Sequence, residues 1–207
     1  MNSHISLSFV RGIPSHDFFE KAWASEPLTN VLKETNIPFA LPFPDEDISL
    51  MAKCEGSTVG QCSANRVVKY WNHVEGLQPS EQNLSTQVFI KIHQIAVQTE
   101  QAYLKEINEP LESSFHSAGI AVLPEYRGKS MGLLMRAKQI ELCQEHKATT
   151  LFCETTNRYS AATLKPFGFT KVKEYRYSDL AEKLSSSELS NLDDSFTVWC
   201  LRIKAPA

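Results

Sequence analysis

The sequence lacks an excess of either charge: 21 Lys+Arg stand against 24 Asp+Glu, a formal net charge of −3 over 207 residues. Nucleic-acid affinity comes mostly from neutralised phosphates, so this balance excludes a general nucleic-acid binder. No run of like charge forms a tail. No stretch approaches the ~20 apolar residues that cross a bilayer. The N-terminal Met1-Asn2-Ser3-His4-Ile5-Ser6 has neither a basic leader nor an apolar segment of signal length. A soluble, cytoplasmic protein with no membrane partner is expected. Cys54, Cys62, Cys143, Cys153 and Cys200 form no C-x-x-C pair, which leaves no closely spaced zinc ligands and no expected metal. Each lies in an apolar or strand-like setting and reads as a reduced, buried thiol. Internal repeats and low-complexity tracts are missing too.

What is present is an ordinary globular composition, 42% hydrophobic and 22% charged. A chain of this length can bury about 70% of its unfolded surface, enough for one substantial core. A single domain over 1–207 is therefore expected. Ile5, Leu7 and Phe9 alternate with Ser6, Ser8 and Val10, which predicts a strand ended by Pro14 and Ser15. Asp17–Trp23 reads as a short amphipathic helix. Ser25 can cap a second helix, with Glu26 and Pro27 in its first turn. Three prolines between Pro38 and Pro44 impose a loop. Ile48–Cys54 and Thr58–Tyr70 read as an antiparallel pair joined at Glu55-Gly56-Ser57, followed by polar loop through Gln82. Phe89, Ile92, Ala96, Tyr103 and Ile107 recur near helical spacing and predict a helix over 84–107 that covers a sheet. His93 on that helix reads as a packed or surface residue.

Ser117–Val122, Ser130–His146 and Thr149–Cys153 then read as strand, helix and strand. Such a βαβ unit makes its two strands parallel, with a right-handed crossover. Leu133, Leu134, Ala137 and Ile140 mark the helix's expected buried side. A short helix at Tyr159–Lys165 leads through Gly168 into a strand at Thr170–Tyr177. Ser185–Asp194 reads as a surface excursion and Phe196–Ile203 as a buried last strand. The expected class is α/β, a mixed sheet with helices on both faces.

The chemistry concentrates where that first strand turns into the helix, at Ile120-Ala121-Val122-Leu123-Pro124-Glu125-Tyr126-Arg127-Gly128-Lys129-Ser130-Met131-Gly132. Small residues let backbone N–H groups face a cavity, and the helix N-terminus adds partial positive charge, a ready anion site. Arg127 and Lys129 reinforce it. A P-loop is excluded because Leu123 stands where its first glycine belongs. Gly128, Ser130 and Gly132 do not give G-x-G-x-x-G, which excludes a dinucleotide fingerprint.

What remains resembles motif A of the GNAT superfamily of acetyl-CoA-dependent N-acetyltransferases. Arg127-Gly128-Lys129-Ser130-Met131-Gly132 matches its Gln/Arg-x-x-Gly-x-Gly/Ala except that Ser130 replaces the first motif glycine. Downstream, Asn157-Arg158-Tyr159-Ser160-Ala161-Ala162-Thr163-Leu164-Lys165-Pro166-Phe167-Gly168-Phe169 resembles the family's Asn-x-x-Ala-x-x-Leu-Tyr-x-x-Leu-Gly-Phe segment. The resemblance is strong over residues 117–177. It implies a mixed, mostly antiparallel sheet whose one parallel strand pair splays around acetyl-CoA. Main-chain groups of Ile120, Ala121 and Val122 would meet the pantetheine arm by strand addition. N–H groups of Arg127, Gly128, Lys129, Ser130, Met131 and Gly132 would hold the pyrophosphate, and Asn157 would touch the arm from the other side.

The implied reaction is direct attack of a neutral amine on the acetyl thioester, so a base must first take a proton from an amine that is protonated near pH 7. Ser25-Glu26-Pro27-Leu28-Thr29 and Tyr159-Ser160-Ala161 resemble segments of the insect-type arylalkylamine N-acetyltransferases, which makes Glu26 the implied base and places the two site serines at Ser160 and Thr156. The family's usual tyrosine acid falls on Leu164, leaving Tyr159 and Ser160 as candidates. His116 and Glu154 are alternative bases, although each reads rather as a surface residue. Phe18, Phe19, Trp23, Tyr175 and Tyr177 can line an acceptor pocket or pack the core. The implied partners are acetyl-CoA and a small primary amine, on a monomer or homodimer. A protein lysine or N-terminal acetyltransferase and a catalytically silent acyl-CoA-binding module are the competing readings.

Overall fold

The computed structural model describes residues 6–12, 15–23, 48–77, 84–187, 189–192 and 194–204. Seven strands, β1 (Leu7–Arg11), β2 (Ile48–Cys54), β3 (Ser57–Arg66), β4 (Ser114–Val122), β5 (Thr150–Thr155), β6 (Thr170–Arg176) and β7 (Ser195–Arg202), form one sheet in the order β1-β2-β3-β4-β5-β7-β6. Every pairing is antiparallel except β4 with β5. The helices are α1 (His16–Trp23), α2 (Val67–Gly76), α3 (Leu84–Ile107), α4 (Met131–Glu145), α5 (Arg158–Ala162) and α6 (Tyr177–Leu184). Among the described residues no helix is long and apolar enough to cross a membrane.

Strand alternation sorts the core onto two faces. Phe115, Leu151 and Cys153 join Cys143, Ala148 and Leu164 beneath α4, while Phe152 and Val198 join Tyr70, Trp71, Ile92 and Ala96 beneath α2 and α3. On α1, Phe18, Phe19 and Ala22 are buried against Ala121 of β4. The helix over 84–107 lies as expected, with Ile92 and Ala96 fully buried.

Several expectations are corrected. The strand predicted over Thr58–Tyr70 ends at Arg66, and Val67–Gly76 is helix rather than strand and polar loop. Two adjacent β-branched valines favour a strand locally. Packing overrides them, because Val67, Tyr70, Trp71 and Val74 are buried at helical spacing. Tyr177–Leu184 is likewise helical and buries Leu180 and Ala181; beyond it, Leu189 in the expected surface excursion is fully buried. The buried face of α4 is Met131, Met135, Arg136, Gln139 and Cys143, and Leu134 is exposed. Burial of Arg136 and Gln139 is stabilised by hydrogen bonds rather than by apolar contact. Arg136 Nη1 donates to Ser117 Oγ at 3.0 Å, and Gln139 Nε2 donates to Ser63 O at 2.6 Å and to Ser117 Oγ at 3.0 Å. Strands β4 and β5 extend beyond their predicted ends, which carries His116 and Glu154 into the sheet.

Candidate active site

The sheet opens between β4 and β5. Strands β4 and β5 pair only from Ser114/Thr150 to Ser117/Cys153. On the β3 side, Ala64 pairs with Ser117 and Ser63 with Gly119, so Ala118 is an extra, bulged residue and Gly119 takes φ 137°. Such a bulge bends its strand and ends pairing. From Ala118 onward β4 keeps its partners Cys62, Gln61 and Gly60 on β3 and leaves its other edge open. That open edge carries Ile120, Ala121 and Val122.

On one side of the opening the chain turns into α4. Gly128 and Ser130 both adopt left-handed backbone, at φ 69° and 60°. The first turn of α4 holds no acidic residue, and its N-cap Ser130 makes no side-chain cap bond. First-turn N–H groups have no intrahelical acceptor, so they remain available to an anion. A Cβ added at Gly128 meets nothing within 4 Å, and one at Gly132 meets Thr163 Cγ2 at 3.6 Å. The cradle is therefore open. Arg127 and Lys129 contribute charge beside it, but their donors are engaged: Arg127 Nε donates to Val122 O at 3.1 Å and its guanidinium to Ala22 O, and Lys129 Nζ donates to Glu125 O at 2.9 Å.

After β5, Asn157 caps α5, its side-chain oxygen accepting from Tyr159 N and Ser160 N, each at 2.9 Å. Ser160 Oγ donates to Asn157 O at 2.9 Å, and Thr156 O accepts from Tyr177 Oη at 2.9 Å. Tyr159 is 72% exposed and its ring lies beneath the Arg158 guanidinium. Leu164 is fully buried in the core. Phe18, Phe19 and Tyr177 are core residues as well. Glu26 lies outside the described residues.

The opposite face of the opening holds a polar cluster that the sequence reading did not assemble. Glu154 stands one residue past the last parallel rung, and it accepts from Tyr70 Oη at 2.8 Å and from His93 Nδ1 at 2.9 Å. Tyr70 Oη also lies 2.9 Å from His93 Nδ1. The single tyrosine proton goes to Glu154, so the tyrosine oxygen accepts and Nδ1 of His93 carries a hydrogen. Beneath it, His116 Nδ1 lies 2.7 Å from Glu100 Oε1, and Trp71 Nε1 donates to Glu100 Oε2 at 2.9 Å. The Tyr70 and His116 rings stack at 3.5 Å. His116 and Glu154, expected at the surface, are thus buried, because each side chain finds a partner of opposite hydrogen-bonding character. The i, i+7 spacing of His93 and Glu100 on one helix was the available signal.

Burial pushes the Glu154 carboxyl up, but His93, then His116 and Tyr70, outweigh it and hold Glu154 below the ordinary range. Burial lowers His116, and the Glu100 carboxylate more than reverses this. Tyr70 is raised by burial and by both carboxylates. Ligand atoms of Glu100, His116 and Glu154 lie within 4.8 Å of one another, as in some cation sites. Here the carboxylates already have partners in Tyr70, His93, Trp71 and His116.

No protein-family model matches the sequence, and no curated protein does. Solved structures match the fold. Arylalkylamine N-acetyltransferase 2 from Aedes aegypti is 18% identical, with a TM-score of 0.72 over 96% of this chain and 99% of its own. A Drosophila melanogaster polyamine N-acetyltransferase, which forms N-acetylagmatine, is 17% identical, with a TM-score of 0.67 over 95% and 100%. The ribosomal-protein-S18-alanine N-acetyltransferase of Escherichia coli is 10% identical, with a TM-score of 0.52 over 98% and 97%. At these identities the likeness is one of fold. The chain has the GNAT acyltransferase fold.

Proposed function

We propose that this chain is an acetyl-CoA-dependent N-acetyltransferase whose acceptor is a primary amine of a small molecule of arylalkylamine or polyamine type. The carrying observation is the opening between β4 and β5, with an uncapped helix N-terminus on one face and buried ionisable groups on the other. The acceptor class is supported by the names of the similar structures, arylalkylamine and polyamine N-acetyltransferases.

In this reading the N–H groups of residues 127–132 bind the pyrophosphate. Ser130 serves through its unchanged N–H, and Gly128 keeps the approach clear. Ile120, Ala121 and Val122 offer the open strand edge to the pantetheine amides, and Asn157 fixes the start of α5 beside it. Bound acetyl-CoA supplies the activated acyl group. Direct transfer then needs positioning above all, together with a route for the proton of the amine. Glu26 is the base that the sequence resemblance assigns. Tyr159 and Ser160 are the acid candidates and Thr156 the other site position, all following β5 in the chain, with Ser160 held by its bond to Asn157 O.

Calorimetric titration with acetyl-CoA, followed by thiol release with an amine panel and a matched lysyl peptide, tests the reading. One site per chain and amine-dependent thiol release are expected, with the peptide a poor acceptor. Absence of acetyl-CoA binding overturns it. Glu26→Gln is expected to lower turnover and leave acetyl-CoA affinity intact. Unchanged turnover at saturating amine removes Glu26 from the mechanism.

A further inference from the structure

His93 is the most exposed member of the cluster, which is otherwise buried. Its Nδ1–H is fixed by Glu154 Oε2 and Tyr70 Oη, both at 2.9 Å. Its Nε2 has no hydrogen-bond partner among the described residues, and its side chain is 22% exposed, against 9% for Glu154. Phe89 packs on the ring at 4.3 Å and Phe196 lies at 6.5 Å, which keeps the imidazole in place. A carboxylate that holds Nδ1–H leaves Nε2 as a directed lone pair, the arrangement that makes an imidazole a general base.

The position fits that role. Met131 and Met135, at the start of the pyrophosphate helix, pack with Ile120 and Val122 on one face of the sheet. His93 and Tyr70 lie on the other face, over Glu154. A molecule reaching from the cradle through the β4/β5 opening emerges on the His93 side.

We propose that His93 Nε2, oriented by Glu154 and Tyr70, takes the proton from the acceptor's ammonium group. This rests on the acetyltransferase reading and deepens it. The N–H bond of the ammonium breaks and its electron pair stays on nitrogen for attack. A Nε2–H bond forms, and the imidazolium returns the proton to water. Glu154 and Tyr70 are positioning residues. The charged and titratable groups around the ring are Tyr70 from α2, Glu100 from the same helix, His116 from β4 and Glu154 from β5. This step is the one that the sequence resemblance gives to Glu26, so a loss confined to phenylethylamine in Glu26→Gln and absent in His93→Asn overturns the His93 assignment.

The test compares phenylethylamine with its β,β-difluoro analogue, whose nitrogen is far less basic and needs little help to become neutral. His93→Asn retains an amide donor for Glu154 but has no base. It is expected to lower kcat/KM for phenylethylamine by about 100-fold or more, to cost the difluoro amine only a few-fold, and to leave acetyl-CoA affinity and melting temperature near wild type. Added imidazole should restore part of the rate in His93→Ala. Glu154→Gln should shift the pH profile of kcat/KM, and nitrogen NMR of His93 should show the Nδ1–H tautomer in wild type and its loss in Glu154→Gln. Equal losses on both amines, or an Nε2–H tautomer in wild type, overturn the base assignment alone. A wild type that binds acetyl-CoA and acetylates no amine overturns the transfer reading, and the base with it.

Discussion

Ser130 is the point at which this chain departs from the glycine expected in the turn proposed to bind phosphate, and the structure gives the departure a measurable size. Its backbone is left-handed, at φ 60° and ψ 12°. A side chain in that conformation costs roughly 1–2 kcal/mol. Glycine removes this cost but loses ~0.4–1 kcal/mol through the extra freedom of its unfolded chain. No cap is forfeited, because the Ser130 hydroxyl makes no side-chain cap bond. Ser130→Gly should therefore stabilise the protein by about 0.5–1 kcal/mol, or ~1–4 °C in Tm at this chain length. Ser130→Ala keeps the strained backbone and should melt within ~2 °C of wild type. Acetyl-CoA affinity, measured by calorimetry on all three proteins, should agree within about threefold, since the N–H is common to them. If the hydroxyl itself binds phosphate, both variants lose about tenfold, the scale of one charge-assisted hydrogen bond. A glycine variant that melts below wild type refutes the strain argument.

Leu164, where the sequence resemblance would place the usual acid of GNAT enzymes, is fully buried. Leu164→Tyr should overpack the core by ~1–3 kcal/mol, lowering Tm without raising turnover. A rise in turnover means the phenol reaches the opening. Four of the five cysteines are buried and Cys54 is half-buried, with burial pushing Cys143 and Cys200 up to about 12. Native protein should react rapidly with a thiol reagent at Cys54 alone, and at all five positions once unfolded. Fast labelling of Cys153 contradicts its burial beside Arg136, whose Nη2 donates to Cys153 Sγ at 3.1 Å. His116 is raised above 6.5 because Glu100 outweighs its burial. A group with a raised folded-state pKa stabilises fully below its unfolded value and loses this as pH rises through the folded value. The Tm advantage of wild type over Glu100→Gln should accordingly be largest below pH 6.5 and shrink toward alkaline pH. An advantage that grows with pH refutes the pairing.

Elements whose pattern is carried by their own residues were legible. The helix over 84–107 follows from apolar spacing, the hairpin of β2 and β3 from its turn at Glu55 and Gly56, and the turn into α4 from small residues ahead of a helix. Glu26 and its resemblance remain a reading of sequence. The failures share one cause. Val67–Gly76 looks like a strand until Val67, Tyr70, Trp71 and Val74 find a sheet to cover. The polar face of α4 looks like surface until Arg136 and Gln139 find Ser117 on β4 and Ser63 on β3.

Buried polar residues are the least legible, because their partners stand far away along the chain. Tyr70 bonds a carboxylate 84 residues later, and Trp71 one 29 residues later. Their positions nevertheless follow a rule that the strands make visible. His116 and Ser117 are consecutive on β4, and pleating sends one to each face. They pair with Phe152 and Cys153, the last two rungs before β4 and β5 part. Above one face His116 is held by Glu100; below the other, Ser117 is held by Arg136 and Gln139. Apolar side chains at these rungs would bury area equally well, but they do not fix direction or register. A gap that receives a polar arm, as the proposed function has it, needs walls that neither close together nor slide. Hydrogen-bonded side chains on both faces, tying β3, β4 and β5 to α2, α3 and α4, supply that constraint where the ladder ends. Polar residues at a strand's last paired rungs, on both faces at once, therefore mark where a sheet is built to stay open.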